Sequence, residues 1–167
     1  MKTAVFYEHI LEGAKQSGKS VAELMEKCAS WNIRGIEIGD ALLRENKEEI
    51  KDLLEKNHMQ VSCSNAFYDF GHNPDAAQGK KQIDLAEEFG VSKVLIIPGE
   101  LSENEASALN ALSASKEQTD SYMSENASIQ NMVQALKELV VYGKEKNILV
   151  TLEDFDGPVQ PLSRMYQ

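Results

Sequence analysis

Short apolar runs alternate along the chain with longer stretches in which apolar residues recur every three or four positions. The short runs are typical of buried strands and the periodic stretches of amphipathic helices. Five runs are predicted strands, at residues 3–7, 35–39, 60–65, 94–97 and 148–152. Strands that alternate with helices in this order predict a parallel sheet with right-handed crossover connections.

The first helices are predicted from their caps and apolar faces. Ser20 and Glu23 have the spacing of a capping box, so a helix is expected to begin there. A charged helix is predicted over residues 47–56. Asn73 followed by Pro74 is typical of an N-cap and a first helical residue, which predicts that a third helix begins at this point.

The second half of the chain contains a polar segment and one strong helix. Residues 101–125 are rich in Ser, Glu and Asn, and we expect one short exposed helix there. The helix that follows has apolar residues at helical spacing, which predicts that they face the core. These residues are Ile129, Met132, Val133, Leu136, Leu139 and Val140.

Composition narrows the function classes. The chain has 167 residues and an acidic net charge of −10. Binding to nucleic acid or to an anionic membrane instead requires clustered Lys and Arg. We therefore expect no nucleic-acid and no membrane partner. No apolar run approaches the roughly 20 residues of a membrane span, and no long apolar stretch follows the N-terminus. Cys28 and Cys63 are expected to be reduced thiols, and the protein is expected to be cytoplasmic.

Two α/β architectures fit the order of elements: an open doubly wound sheet, or part of a closed (β/α) barrel. No G-x-G-x-x-G fingerprint supports a dinucleotide-binding open sheet. A complete eight-unit barrel takes about 250 residues. We therefore expect one partial barrel domain over residues 1–167, holding about five of the eight units.

Glu153 is the best candidate for a catalytic or metal-binding residue. It follows the fifth predicted strand, and in a (β/α) barrel the chemistry lies where strands end at the C-terminal face. The alternative is a strand-end acid that caps a turn or pairs with a lysine.

Four further residues are candidates for contact with a substrate. Glu37 lies between two isoleucines of the second strand and either faces the barrel interior or forms a structural ion pair. His9 follows the first strand, and His72 lies in the loop after the third. Phe67 begins an aromatic stretch that would either form an apolar wall for a ligand or simply anchor the loop.

Four segments together resemble the sugar phosphate isomerase/epimerase family with the xylose isomerase-like TIM barrel. They are Arg-Gly-Ile-Glu-Ile at residues 34–38, His-Asn-Pro at 72–74, the stretch from Ala-Glu-Glu-Phe-Gly to Ile-Pro-Gly at 86–99, and Val-Thr-Leu-Glu-Asp at 150–154. The match covers the chain and corresponds to the N-terminal two-thirds of the family. The resemblance implies a parallel TIM-type barrel that acts on a small sugar or sugar phosphate.

The resemblance also implies roles for particular residues. The acid that ends strand five is a ligand of a divalent metal (Mn, Mg, Co or Zn) and exchanges a proton next to a carbonyl; this role falls on Glu153. His72 matches a pocket histidine. The other metal ligands, an Asp, a His and a Glu, belong to strands six to eight. We therefore expect this chain by itself to be inactive and to belong to a longer parent.

A second hypothesis is a non-enzymatic half-barrel. An incomplete barrel leaves strand edges and interior apolar surface uncovered, which favours association. This hypothesis predicts a homo-oligomer whose formation depends on concentration and not on metal.

Overall fold

The computed structural model describes residues 3–153, which form five strands and eight helices. All five strands pair in parallel and lie in the order of the sequence. The strands are β1 (Ala4–Phe6), β2 (Gly35–Gly39), β3 (Gln60–Phe67), β4 (Lys93–Ile97) and β5 (Leu149–Leu152).

In the first half of the chain, the helices at Val21–Ser30 and Lys47–Asn57 lie where they were predicted, whereas those at Tyr7–Ser17 and Asp40–Glu45 were not predicted. Ser20 accepts a hydrogen bond from the backbone N–H of Glu23, and the Glu23 carboxylate accepts one in return, so the predicted capping box is present. The helices are α1 (Tyr7–Ser17), α2 (Val21–Ser30), α3 (Asp40–Glu45), α4 (Lys47–Asn57), α5 (Ala77–Glu88), α6 (Glu103–Ala111), α7 (Lys116–Glu125) and α8 (Ala127–Glu145).

The strand order decides between the two architectures. A doubly wound sheet reverses direction at a switch point, so its strand order departs from the sequence order. Here each strand adds to the same side of the one before it, from β1 to β5. The sheet is therefore wound in a single direction, as in a (β/α) barrel.

The two faces of the sheet have different environments. Ile36, Ile38, Val94 and Ile96 are fully buried in a core that they share with residues of the helices. Residues at the alternate strand positions point to the other face. Leu149 is 63% exposed at the start of β5, which shows that this second face is partly open to solvent.

The polar segment 101–125 differs from its prediction because it holds two helices. Ser102 caps α6 by accepting a hydrogen bond from the backbone N–H of Glu105, and Ser115 caps α7 in the same way. Each helix buries only a small apolar set, including Leu109 in α6. The weak apolar periodicity of the segment concealed the second helix, although both capping serines were visible in the sequence.

Two boundaries around the third strand also differ. β3 continues to Phe67, so this residue ends a strand and does not lie in the loop. Helix α5 begins at Ala77, three residues after Pro74, and the Asp75 carboxylate accepts a hydrogen bond from the Ala77 N–H. Backbone hydrogen bonds from His72 and Asn73 to the Asp69 carbonyl form a turn there instead.

One predicted core residue is exposed. Val140 is 51% exposed on α8, whereas Ile129, Met132 and Leu139 of the same helix are fully buried as expected.

No helix within residues 3–153 is both long enough and apolar enough to cross a bilayer. Asp154, the last residue of the segment 150–154 singled out in the sequence, lies outside the described residues.

Candidate functional site

Glu37 and Glu153 lie within electrostatic reach of each other. Glu153 directly follows β5, and its negative charge helps to raise the pKa of Glu37 on β2. The two residues are far apart in sequence and come from strands separated by β3 and β4. The curvature of the sheet therefore brings together the two carboxylates that the sequence proposed independently.

Glu37 is the less exposed of the two carboxylates. Burial is the largest cause of its raised pKa, and the charges of Glu153 and Glu8 act in the same direction. A hydrogen bond donated by the Asn65 side chain and the charge of Lys93 act in the opposite direction. Asn65 is therefore the polar neighbour that favours the ionised form of Glu37.

Glu8 and Asn65 belong to the same group of residues and were missed in the sequence. Glu8 is the second residue of α1, and its Oε1 accepts a 2.8 Å hydrogen bond from the Gly39 N–H at the end of β2. Asn65 pairs with Gly39 in the sheet register. The rule that carboxyl ends of parallel strands carry the site could have indicated both residues.

Two other polar groups, Cys63 and Lys93, interact electrostatically with Glu37. Burial, followed by the charge of Glu37, raises the pKa of Cys63 to about 11. The Cys63 thiol is therefore protonated near neutral pH and is a poor nucleophile. Lys93, at the start of β4, is the positive charge that acts on both Glu37 and Cys63.

His72 lies in the loop after β3, as predicted, but its neighbours differ from those of Glu37. Its exposed ring makes a 2.7 Å hydrogen bond with the Asp69 carboxylate, which raises the pKa of His72. Among the described residues, the charges that shift His72 are Asp69 and then Glu105 of α6. His72 therefore belongs to the rim formed by this loop and α6.

His9 lies in the first turn of α1, which directly follows β1, and Phe67 lies at the end of β3. The ring of His9 packs edge-on against Phe6, with 5.4 Å between ring centroids. Phe6 is opposite Glu37 in the register of β1 and β2, and is 44% exposed. Phe67 is the last residue of β3 and is 69% exposed. The side chains of His9 and Phe67 are thus both exposed to solvent.

The described residues do not form a complete metal site. Residues 3–153 contain no group of three or more His, Cys, Asp or Glu side chains arranged to hold a metal ion. A divalent cation takes several ligands, so Glu153 would need partners from outside this range.

The segment Gly13–Ser20 matches the pattern G-x-x-x-x-G-K-S of phosphate-binding loops but lacks their structural context. Such a loop joins a strand to a helix, whereas Gly13 lies inside α1 and Gly18 follows its end. The N-terminus of α2 is already occupied, because the Glu23 carboxylate accepts hydrogen bonds from the backbone and hydroxyl of Ser20. The matching residues therefore form the end of α1 and the turn before α2, and not a phosphate-binding loop.

Comparison with known proteins identifies relatives of this fold. A family model described as xylose isomerase-like TIM barrel matches residues 25–164. A xylose isomerase domain protein from Planctomyces limnophilus is similar in structure, with a TM-score of 0.55 and 13% identity over 97% of this chain. A sugar phosphate isomerase/epimerase from Parabacteroides distasonis has a TM-score of 0.55 and 12% identity over 94%.

A third similar structure is a mannonate dehydratase from Streptococcus suis, with a TM-score of 0.53 and 15% identity over 91% of this chain. The chain spans 57%, 57% and 53% of the lengths of these three structures, so its sheet corresponds to a partial barrel. No curated protein matches the sequence.

Proposed function

Because this chain belongs to the xylose isomerase-like TIM-barrel family, we propose that it forms the N-terminal part of a cytoplasmic sugar isomerase or epimerase. The proposal rests on one observation above all: Glu153 lies at the end of β5, within electrostatic reach of the half-buried Glu37. Its substrate is a small sugar or sugar phosphate.

Glu153 moves the proton in the proposed reaction. Isomerisation or epimerisation removes a proton from the carbon next to a carbonyl group, and a positioned carboxylate is a suitable base. Glu153 is exposed at the strand end, where it can approach a substrate lying across the sheet. Glu37, whose ionised form Asn65 favours, accepts hydrogen bonds from the substrate hydroxyl groups, which orients the substrate toward Glu153.

Glu153 would also provide one ligand of a divalent metal, such as Mn, Mg, Co or Zn. A metal held there would polarise the substrate carbonyl and stabilise the negative charge that develops on its oxygen. The remaining ligands would come from outside residues 3–153, since no metal-binding group of three is present within them. The complete site therefore requires the further strands of the barrel.

The proposal is tested by replacing Glu153 with Gln in the natural gene product that contains this chain. Purified protein is incubated with Mn²⁺ and a ketose in deuterated water, and deuterium at the carbon next to the carbonyl is measured by NMR. Losing the proton-transfer group should slow incorporation by at least about 100-fold. Glu145→Gln, which removes an exposed carboxylate at the end of α8, should leave the rate unchanged.

Full incorporation by the Glu153→Gln variant would refute the role of Glu153. Equal loss in the Glu145→Gln variant would show that the effect is a general one of removing negative charge.

A second candidate function is supported by the open face of the sheet. Leu149 and Phe6 are large apolar residues that remain substantially exposed at opposite edges, on β5 and β1. We propose as the alternative that a second copy of the chain covers this surface and that the half-barrel is non-enzymatic. In that case the Glu153→Gln substitution leaves both association and function unchanged.

A further inference from the structure

We propose that Glu8, Glu37 and Asn65 make this site specific for a neutral, polyhydroxylated substrate and exclude phosphorylated sugars and sugar acids. This inference rests on the proposed isomerase or epimerase function and names the class of sugar that it accepts. We call these three residues the β1–β3 subsite, because Glu8 follows β1 in helix α1, Glu37 lies on β2 and Asn65 lies on β3.

The oxygens of the subsite converge above Gly39. A Cβ atom placed on Gly39 would lie 3.1 Å from Glu8 Oε1 and 3.8 Å from Asn65 Oδ1. Both oxygens therefore lie on the side of the sheet to which the side chain of residue 39 would point. This is also the side of Glu37, because residues two apart on a strand share a face. A glycine at this position leaves room for the two oxygens to approach each other.

A β-bulge aligns Asn65 with this group. The register of β2 and β3 shifts between Ile36 and Glu37, so that Glu37 lies opposite Cys63 and Gly39 opposite Asn65. The Ser62 hydroxyl donates a 2.8 Å hydrogen bond to the Ile36 carbonyl at the shift. Bulges occur near active sites, where they redirect side chains. Here the bulge places Asn65 on the same face of the sheet as Glu37.

The groups of the subsite are mainly acceptors. The Glu8 carboxylate is fixed by the Gly39 N–H, and each ionised carboxylate retains further acceptor positions. Asn65 contributes its carbonyl oxygen on the same side. Hydroxyl groups can donate to such oxygens, whereas a phosphate or carboxylate is itself an acceptor and has no donor to offer at neutral pH.

The charges around the subsite also disfavour an anionic ligand. The charges that act on Glu37 within the described residues are those of Glu153, Glu8 and Lys93. Together with Glu37 these are three carboxylates and one ammonium group. Without a bound metal ion, an anion at this point would face net repulsion on a partly buried surface, where screening by solvent is weak. A neutral polyol chain meets no such repulsion and satisfies the acceptors.

The test measures ligand selectivity without turnover. Binding of D-fructose, D-fructose 1-phosphate and D-fructose 6-phosphate to the natural gene product is measured by calorimetry in the absence of added metal. The expected result is that fructose binds at least about tenfold more tightly than either phosphate ester. Glu8→Gln should reduce this ratio by about three- to tenfold, because it removes both a charge and a strong acceptor.

The matched control is Glu12→Gln. Glu12 lies one turn further along α1, and its carboxylate accepts a hydrogen bond from Gln16 on the exposed helix surface. The substitution makes the same change in net charge, and the selectivity ratio should stay at the wild-type value.

Three results would overturn the inference: a phosphate ester that binds as tightly as fructose, no measurable binding of fructose, or equal effects of the Glu8 and Glu12 variants. These outcomes differ from failure of the proposed function. Selective binding of fructose without metal-dependent deuterium exchange would refute the isomerase or epimerase function and leave the subsite intact. Deuterium exchange that proceeds only with a phosphate ester would refute the selectivity of the subsite and leave the isomerase or epimerase function intact.

Discussion

At Glu105 of α6, a single carboxylate interacts with three side chains from the starts of two helices, α6 and α8. Hydrogen bonds from Ser102, then Asn126, then Ser128 lower the pKa of Glu105 to about 2. Ser102 is the N-cap of α6, and Asn126 is the N-cap of α8 and donates to Glu105 Oε1 at 3.0 Å. The ionised carboxylate therefore connects the segment 101–125, which the sequence left poorly defined, to the long helix α8.

This arrangement predicts how acid affects stability. The folded-state pKa of Glu105 lies below its ordinary value of 4.5. Its stabilising contribution is therefore fully present above pH 4.5 and is lost as the pH falls toward 2. We expect Glu105→Gln to lower the free energy of unfolding at pH 7 by about 1 kcal/mol. Its deficit relative to wild type should shrink at pH 3.

Urea unfolding at both pH values measures the difference, with Glu103→Gln as the control. Glu103 is an exposed acid in the first turn of the same helix. A deficit that stays constant between pH 7 and pH 3, or that also appears in the Glu103 variant, would contradict the role assigned to Glu105.

At the scale of elements, Gln82 joins a helix, two strands and a loop. It is fully buried on α5, and its amide nitrogen donates to the Ser64 carbonyl of β3 at 3.0 Å and to the Leu95 carbonyl of β4 at 3.4 Å. Its Oε1 accepts a 3.0 Å hydrogen bond from the Tyr68 hydroxyl in the loop after β3. The Tyr68 ring stacks on that of Phe70, with centroids 4.7 Å apart.

Replacement of Gln82 by Ala is expected to destabilise the fold strongly. It leaves a cavity and removes the acceptor of the partly buried Tyr68 hydroxyl, and each such loss costs about 1–3 kcal/mol. We expect a total loss on the order of 3 kcal/mol in the free energy of unfolding, measured by urea denaturation. Gln78→Ala, at an exposed position of the same helix, should change it by less than about 0.5 kcal/mol.

A comparable stability of the Gln82 and Gln78 variants would mean that the hydrogen bonds of Gln82 do not hold α5 against the sheet.

At the scale of the whole molecule, the sheet is buried on one face and open on part of the other. Ile36 and Ile38 are fully buried beneath the helices, whereas Leu149 and Phe6 remain exposed near the edges of the sheet. The chain also spans little more than half the length of the similar structures. Exposed apolar surface of this kind favours association with other polypeptides.

We expect the 167-residue chain to associate with itself through this face. Sedimentation equilibrium over a range of concentrations should show a reversible oligomer, and Leu149→Lys should weaken association by at least about tenfold. Trp31→Lys is the control, because Trp31 is 64% exposed but lies just after α2, away from the strands. A monomer at all concentrations, or equal weakening by both substitutions, would contradict association through the open face.

Periodicity and caps determined most of the elements, since each depends on neighbours in sequence. The β2 strand and the Ser20 cap were predicted in place because alternation and capping are local. The predicted boundaries were less accurate where contacts between residues distant in sequence decide the element. Phe67 continues β3 because its strand pairs with β4 as far as Ile97, a contact that no local pattern reveals. The second helix in 101–125 is stabilised largely through contacts with other helices, such as the packing of α7 on α8.

For the site, the sequence by itself identified the residue types and strand ends: Glu153 after β5, Glu37 on β2 and His72 in the loop after β3. Only the tertiary structure decided which of these lie together. The curvature of the parallel sheet brings Glu153 within electrostatic reach of Glu37, and the bulge in β3 adds Asn65. The physical reason is that local patterns set strand, helix and face, whereas distances between strands depend on how the whole sheet winds and packs.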